Sequence, residues 1–131
     1  MKKIMVVDDN VSILKQISIM LENCYDIILA KSGSQALKIG AQEKPDLIFL
    51  DIEMPEMDGY QTIAQFKEEA WFGATPVVFL TGNQDEATKK KAFEYGAIEI
   101  LNKPVDKEYL LNRMELHLGS SADLESTRTR K

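Results

Sequence analysis

Five short apolar runs alternate along this chain with segments of helical periodicity. The runs cover residues 3–7, 26–30, 47–50, 76–80 and 99–101. The third run, LIFL, is continuously apolar, which is typical of a strand that is buried on both faces. A strand followed by a helix, five times over, predicts one parallel sheet with helices on both faces and right-handed crossovers.

Helix boundaries follow from capping residues and helix-stop signals. Asn10 and Asp106 are expected N-caps of the first and last helices, and Ser32 to Ser34 form a turn and cap before the second. The third and fourth helices are predicted over residues 61–69 and 85–95, the latter ending at Gly96. We interpret the lysines at positions 89, 90 and 91 as a solvated face of the fourth helix.

The length of the chain suits one domain. It has 131 residues, of which 44% are hydrophobic and 28% are charged, as in ordinary globular proteins. We assign residues 1–118 to one folded domain and expect no second catalytic domain. From Gly119 onward the sequence is polar and without apolar periodicity, so residues 119–131 are expected to form a flexible tail or linker.

Charge and cysteine content indicate the cellular setting. Lys and Arg number 16 against 21 Asp and Glu, a net charge of -5 that argues against nucleic acid or an anionic membrane as a direct partner. The single cysteine, Cys24, cannot form an internal disulfide. Asp8 and Asp9 end the first apolar stretch too early for a signal peptide, and no run is long enough to span a bilayer. We therefore expect a cytoplasmic protein.

Three aspartates follow the ends of two predicted strands. Asp8 and Asp9 follow the first strand, and Asp51 follows the third. Because parallel strands end at the same edge of a sheet, these carboxylates should converge. Their mutual repulsion requires a cation or forces one of them to stay protonated. Oxygen ligands select hard cations, so we expect Mg²⁺, and Mn²⁺ would fit the same ligands.

Two further polar residues follow the fourth and fifth strands. Thr81 supplies a hydroxyl and Lys103 supplies an ammonium group at the same edge of the sheet. A hydroxyl and an ammonium beside a metal ion can hold the oxygens of a phosphoryl group in transfer. Asp51, on the middle strand, is the best placed acceptor, since carboxylates act as covalent phosphoryl carriers.

These strand-end residues occur in one order along the chain: Asp8-Asp9, Asp51 followed by MPEMDG, Thr81, and Lys103-Pro104. The set, on these elements, resembles the CheY-like receiver domain of two-component response regulators, over about residues 1–118. The resemblance implies a doubly wound, flavodoxin-like (βα)5 fold with strand order 2-1-3-4-5. It also implies that Asp51 accepts a phosphoryl group from a histidine kinase or a histidine phosphotransfer protein. Such a domain catalyses only its own phosphorylation and dephosphorylation.

The resemblance further implies which residues bind the metal and which contact the phosphoryl group. Asp9, Asp51 and the backbone carbonyl of Glu53 would bind the metal, with Asp8 acting mainly through water. Thr81 would contact the phosphoryl oxygens. So would Lys103, whose peptide bond to Pro104 is expected to be cis.

In the family the loop bearing Thr81 shifts onto the phosphoryl group, and an aromatic residue on the fifth strand turns inward. Here Ile100 occupies that aromatic position, so the aromatic half of the switch is not expected. Gly82, followed by Asn83, leaves the loop mobile and the site open to a large donor side chain. We predict that the Glu53 carboxylate reaches toward the metal or Lys103 without phosphate, and that it tunes phosphoryl entry and loss.

The expected output is a protein contact through the fourth helix, fifth strand and fifth helix, made with an effector or a fused output domain. Homodimerisation on phosphorylation is a further expected contact. Two alternatives stay open. One is an aspartyl-phosphate hydrolase of the haloacid dehalogenase type, although that family needs an aspartate where this chain has Glu53. The other is a receiver scaffold that works without phosphate.

Overall fold

The computed structural model describes residues 1–119, which form a parallel sheet flanked by helices. The elements are β1 (Lys3–Val7), α1 (Val11–Leu21), β2 (Asp26–Ala30), α2 (Gly33–Glu43), β3 (Leu47–Asp51), α3 (Gly59–Phe66), β4 (Val77–Thr81), α4 (Glu86–Glu94), β5 (Glu99–Asn102) and α5 (Lys107–Leu118). The five strands lie in the order β2-β1-β3-β4-β5, and all neighbours pair in parallel. The predicted fold class and strand order are confirmed.

Each helix begins after a polar residue whose side chain accepts a backbone hydrogen bond from the first turn. These N-caps are Asn10, Ser32, Asp58, Asp85 and Asp106. Such caps satisfy backbone N–H groups that have no partner inside the helix. The capping residues therefore determine where each helix starts, and with it the length of the loop that follows each strand.

The boundaries of α3 differ from the predicted residues 61–69. The helix begins at Gly59 because Asp58 and Gln61 form a capping box, in which each side chain accepts from the other's backbone N–H at 2.9 Å. It ends at Phe66, whose ring stacks on Phe72 with centroids 5.5 Å apart. The chain turns after the helix so that the aromatic residues of the following loop can pack back onto it.

The core has two layers, one on each face of the sheet. Leu47 and Phe49 of β3 face a cluster that includes buried residues of α1 and α5. Ile48 and Leu50 face the opposite cluster, which includes residues of α2, α3 and α4. β3 is buried along its whole length, as its apolar run predicts. The middle of the sheet is therefore a rigid support for the residues at its carboxyl edge.

The expected polar tail lies outside the described residues, apart from Gly119. Among residues 1–119, none of the helices combines the length and the apolar character that crossing a bilayer requires.

Candidate phosphoryl and metal site at the carboxyl edge of the sheet

The three strand-end carboxylates lie together. One oxygen from each of Asp8, Asp9 and Asp51 lies within 4.8 Å of the others. β1 and β3 are neighbours in the sheet, so their carboxyl ends are adjacent. Asp8 and Asp51 are buried, whereas Asp9 is exposed. The predicted convergence of carboxylates is confirmed, and one side of the cluster is open to solvent.

Lys103 supplies the positive charge of this cluster. Its Nζ donates a hydrogen bond to Asp51 Oδ1 at 3.0 Å and lies 2.8 Å from Asp8 Oδ2. The Lys103 backbone N–H donates to the carbonyl of Thr81, and the bond to Pro104 is cis, as expected. The lysine is therefore held at both its backbone and its ammonium group, and it links the ends of three strands.

The protonation of Asp51 is unusual. Burial raises the pKa of its carboxyl to about 7. The hydrogen bond from Lys103 lowers the pKa, whereas the negative charge of Asp8 adds to the rise. For Lys103, burial lowers the pKa, but the hydrogen bonds and charges of Asp8 and Asp51 outweigh this effect and raise it. One ammonium does not balance two buried carboxylates, and so the cluster favours either a proton or a second cation.

The oxygen donors of the cluster fit a hard divalent cation. Asp8 Oδ1 accepts from the backbone N–H of Asn10 at 2.9 Å, which fixes the carboxylate. Asp8 Oδ2 is buried, and Lys103 Nζ lies 2.8 Å from it as its ion-pair partner. A buried carboxylate oxygen of this kind is stabilised by a cation. All three side chains offer oxygen, which suits Mg²⁺ or Mn²⁺ rather than a softer metal.

The loop between β3 and α3 lies closely against the end of β3. The N–H of Gly59 donates to the carbonyl of Ile52 at 2.8 Å. A Cβ at Gly59 would lie 2.6 Å from the carbonyl oxygen of Asp51 and 2.8 Å from Cα of Ile52. Only glycine fits this approach, so the residue fixes the position of the loop that carries Glu53.

Glu53 lies beside the cluster with its side chain exposed. Its backbone N–H donates to Asp51 Oδ1 at 3.3 Å. Within residues 1–119, the carboxylate of Glu53 makes no ion pair with Lys103, whose ammonium contacts Asp8 and Asp51 instead. This corrects one of the two positions that we expected for the side chain. The other position, toward a metal ion, stays a prediction.

The Thr81 hydroxyl is bonded within its own loop. Thr81 Oγ1 donates to the carbonyl of Asn83 at 3.1 Å and accepts from the N–H of Asn83 at 3.0 Å. In the described part of the chain it makes no hydrogen bond to Asp51. Gly82 has open space around it, since a Cβ added there would meet no atom within 4 Å. The hydroxyl must leave Asn83 before it can serve a group bound at Asp51.

A family model described as the response regulator receiver domain matches residues 4–115. The chain belongs to this family. Protein PilG of Pseudomonas aeruginosa is 36% identical to it over 125 residues, which cover 95% of this chain and 93% of PilG. The receiver-domain interpretation is thereby confirmed over the hydrolase alternative. Acceptance of a phosphoryl group in two-component signalling is the function of such a domain.

Solved structures agree with this assignment. Chemotaxis protein CheY4 of Vibrio cholerae has a TM-score of 0.86 at 29% identity, covering 90% of this chain and 99% of CheY4. The receiver domain of sensor histidine kinase PA1611 from Pseudomonas aeruginosa PAO1 has a magnesium ion coordinated in its active site cleft. It has a TM-score of 0.82 at 25% identity, covering 91% of this chain and 98% of that one. Some curated relatives are longer, and the chain spans only 26% and 50% of two of them.

Several contacts of this receiver domain are not evident from its sequence. The Gln84 side chain donates to the carbonyl of Ile100 at 3.3 Å, which joins the loop after β4 to β5 at the position where the family has an aromatic residue. Lys91 lies over the ring of Tyr60, 4.2 Å from its centroid. Helical spacing predicts a solvated Lys91, and no sequence signal shows which aromatic ring from another helix lies beneath it.

Proposed function

We propose that Asp51 is the phosphoacceptor of this receiver domain. The observation that carries the proposal is the contact of one ammonium, Lys103 Nζ, with both Asp51 and Asp8 at 3.0 and 2.8 Å. The cluster is open to solvent on the side of Asp9, its exposed member. An incoming phosphoryl group would therefore meet a buried, oriented carboxylate with a cation already in place.

We assign the metal site to the side chains of Asp8, Asp9 and Asp51 and to the backbone carbonyl of Glu53, and we expect Mg²⁺, with Mn²⁺ able to replace it. Support comes from the mutual distances of the carboxylate oxygens, from the two buried carboxylates that share one ammonium, and from the magnesium ion of the PA1611 receiver domain. When bound, Mg²⁺ offsets the negative charge of the carboxylates and of the phosphoryl oxygens.

The proposed reaction is transfer of a phosphoryl group from a phosphohistidine to Asp51. The P–N bond to the donor imidazole breaks, a P–O bond to a carboxylate oxygen of Asp51 forms, and the imidazole nitrogen keeps the electron pair. Asp51 must be ionised to act as the nucleophile, and Lys103 favours that form. Lys103 then pairs with the phosphoryl oxygens, and Thr81 turns from Asn83 to donate its hydroxyl to them.

We propose a histidine kinase or a histidine phosphotransfer protein as the donor, and output through the face formed by α4, β5 and α5. That face carries exposed apolar side chains, including Phe93, Ile98 and Tyr109. An effector, a fused output domain or a second phosphorylated copy would cover it. We also propose a cytoplasmic location, for which the free thiol of Cys24 is suited.

Amide NMR with Mg²⁺ and beryllofluoride, a mimic of the phosphoryl group, tests this function. We expect resonances around Asp51, Thr81 and Lys103 to shift in the wild type and to stay unchanged in Asp51→Asn. Asp26→Asn, an exposed aspartate at the start of β2, is the matched control and should respond as the wild type does. A folded wild type that binds no beryllofluoride in Mg²⁺ would instead support the phosphate-independent scaffold.

A further inference from the structure

A cavity lies between the phosphoryl site and α4. Its volume is about 280 Å³, and Glu53 and Thr81 line it on the side of the site, while Tyr60, Thr88 and Lys91 line it on the side of the helices. The cavity therefore lies beside Thr81 and is bounded by α4, the helix that follows the Thr81 loop. A movement of that loop or of α4 would change the shape of this cavity.

Tyr60 forms the wall of the cavity and is only 8% exposed. Its ring packs edge-on against Phe79 of β4, with centroids 5.4 Å apart, and at a tilt against Tyr95 at the end of α4, at 5.0 Å. The Lys91 ammonium lies 4.2 Å from the Tyr60 centroid and 6.0 Å from that of Tyr95. An ammonium over an aromatic face is attracted by the ring, so this contact holds α4 to α3.

The Thr81 loop is bonded directly to the start of α4. Asn83 holds the Thr81 hydroxyl, and its own side chain accepts from the N–H of Asp85 at 3.1 Å. Asp85 in turn caps α4 by accepting from the N–H of Thr88 at 2.8 Å. For Thr81 to turn toward Asp51, its hydroxyl has to leave Asn83, the residue whose side chain also accepts from the N-cap of α4. Through Asn83 and Asp85, the Thr81 loop is therefore connected to the first turn of α4.

We propose that Tyr60 and Lys91 are positioning residues for phosphorylation. Their contact holds α4 in the position that keeps the Thr81 hydroxyl on Asn83, and so it sets the free energy needed to bring Thr81 to a phosphoryl group. This inference rests on the proposed function of Asp51. The contact between Tyr60 and Lys91 would act without the fifth strand, where Ile100 replaces the family's aromatic residue.

The test is the affinity for beryllofluoride in saturating Mg²⁺, measured by fluorine NMR. Lys91→Met keeps the aliphatic stem but removes the charge, and Lys90→Met, at the neighbouring exposed position, is the matched control. Because the contact stabilises only the unliganded arrangement, Lys91→Met should bind beryllofluoride about two- to fivefold more tightly than Lys90→Met. In a Tyr60→Leu background, the effect of Lys91→Met should be much smaller, since only the more distant ring of Tyr95 is left near the ammonium.

Mg²⁺ affinity without beryllofluoride separates positioning from a general loosening of the fold. Thr81 is not needed for the metal, so Lys91→Met should bind Mg²⁺ as the wild type does. Equal beryllofluoride affinities for Lys91→Met and Lys90→Met, weaker binding by Lys91→Met, or a parallel change in Mg²⁺ affinity would each overturn the inference. If wild type and Asp51→Asn do not differ in beryllofluoride binding, the assignment of Asp51 fails first, whatever the Lys91 variants do.

Discussion

Lys103 Nζ lies 3.0 Å from Asp51 Oδ1, although the strands that lead to these residues are not neighbours in the sheet. β4 lies between them, and the backbone N–H of Lys103 donates to the carbonyl of Thr81 at its end. The lysine side chain therefore spans the end of β4 to reach the acceptor. This relationship makes the charge state of Asp51 depend on a residue 52 positions away in the sequence.

The first prediction concerns pH and stability. The pKa of Asp51 is raised from its ordinary value of 3.8 to about 7, so the folded state binds more protons than the unfolded state between these values. Without a divalent cation, the free energy of unfolding should therefore fall as pH rises from about 4 to about 7. In Asp51→Asn this fall should be smaller, and the variant should be more stable at pH 8 by on the order of 1–2 kcal/mol.

Urea denaturation in a chelating buffer, at several pH values, measures this difference. Mg²⁺ added at pH 8 should stabilise the wild type more than Asp51→Asn, because it takes the place of the proton. Identical pH profiles for the two proteins would show that Asp51 is ionised normally.

The second prediction concerns Lys103→Met. Loss of the ammonium leaves Asp8 and Asp51 without their shared positive charge, so the pair should hold a proton to higher pH than in the wild type. Carboxyl carbon NMR, followed as a function of pH, reports this titration. Lys107→Met, at the exposed start of α5, is the control and should leave the titration unchanged. A titration that moves to lower pH in Lys103→Met would contradict the electrostatic account of the site.

The third prediction concerns Gly59, which lies against the end of β3. Gly59→Ala would bring a Cβ against backbone atoms of Asp51 and Ile52, which cannot shift without moving β3. We expect a loss of about 1–3 kcal/mol in the free energy of unfolding and weaker Mg²⁺ binding. Gly82→Ala is the control, since a Cβ there meets no atom within 4 Å. Equal stabilities of the two variants in urea would show that the loop does not press on the end of β3.

The fourth prediction concerns Glu53. Its exposed carboxylate beside the acceptor adds negative charge where phosphate and water must enter, so Glu53→Ala should gain and lose the phosphoryl group severalfold faster. Loss of radiolabelled phosphate, measured over time in Mg²⁺, gives the dephosphorylation rate. Glu22→Ala, at the exposed end of α1, serves as a control for net charge. Equal rates in wild type and Glu53→Ala would end the proposed tuning role.

The fifth prediction concerns the attachment of α5. Glu99 of β5 accepts from Arg113 at 2.7 Å and lies 2.8 Å from the His117 ring. Burial raises the pKa of Glu99, but Arg113 and His117 outweigh burial, and the pKa is lowered. The ion pair therefore stabilises the fold above the usual pKa of a glutamate, and this stabilisation is lost as pH falls through the lowered pKa. Glu99→Gln should lose about 1–2 kcal/mol of stability at pH 7. Glu94→Gln, which is exposed on α4, should lose little, and an equal loss would mean that Glu99 has no special role.

The site was predictable from sequence to the extent that strand ends define it. Asp8, Asp51, Thr81 and Lys103 each lie at or just after the end of a short apolar run, and parallel pairing requires such ends to share one edge. The fold followed from the same alternation of strands and helices. Neither inference needed the geometry of any side chain.

The remaining features depend on packing between elements, which periodicity does not predict. Lys91 is exposed, as its helical spacing predicts, but its position over Tyr60 depends on the packing of α4 beside α3. α3 starts two residues earlier than predicted because Asp58 and Gln61 form a capping box, whereas the close approach of Gly59 to the backbone of β3 depends on how the loop is folded.

The most direct test of Asp51 as phosphoacceptor is to locate the phosphoryl group chemically. The protein is treated with phosphoramidate in Mg²⁺, the acyl phosphate is reduced with borohydride to homoserine, and the modified peptide is sequenced by mass spectrometry. The account predicts homoserine at position 51 and at no other aspartate, with none formed in chelator. Modification at Asp8 or Asp9 with Asp51 intact, or no modification of the folded protein, would contradict it.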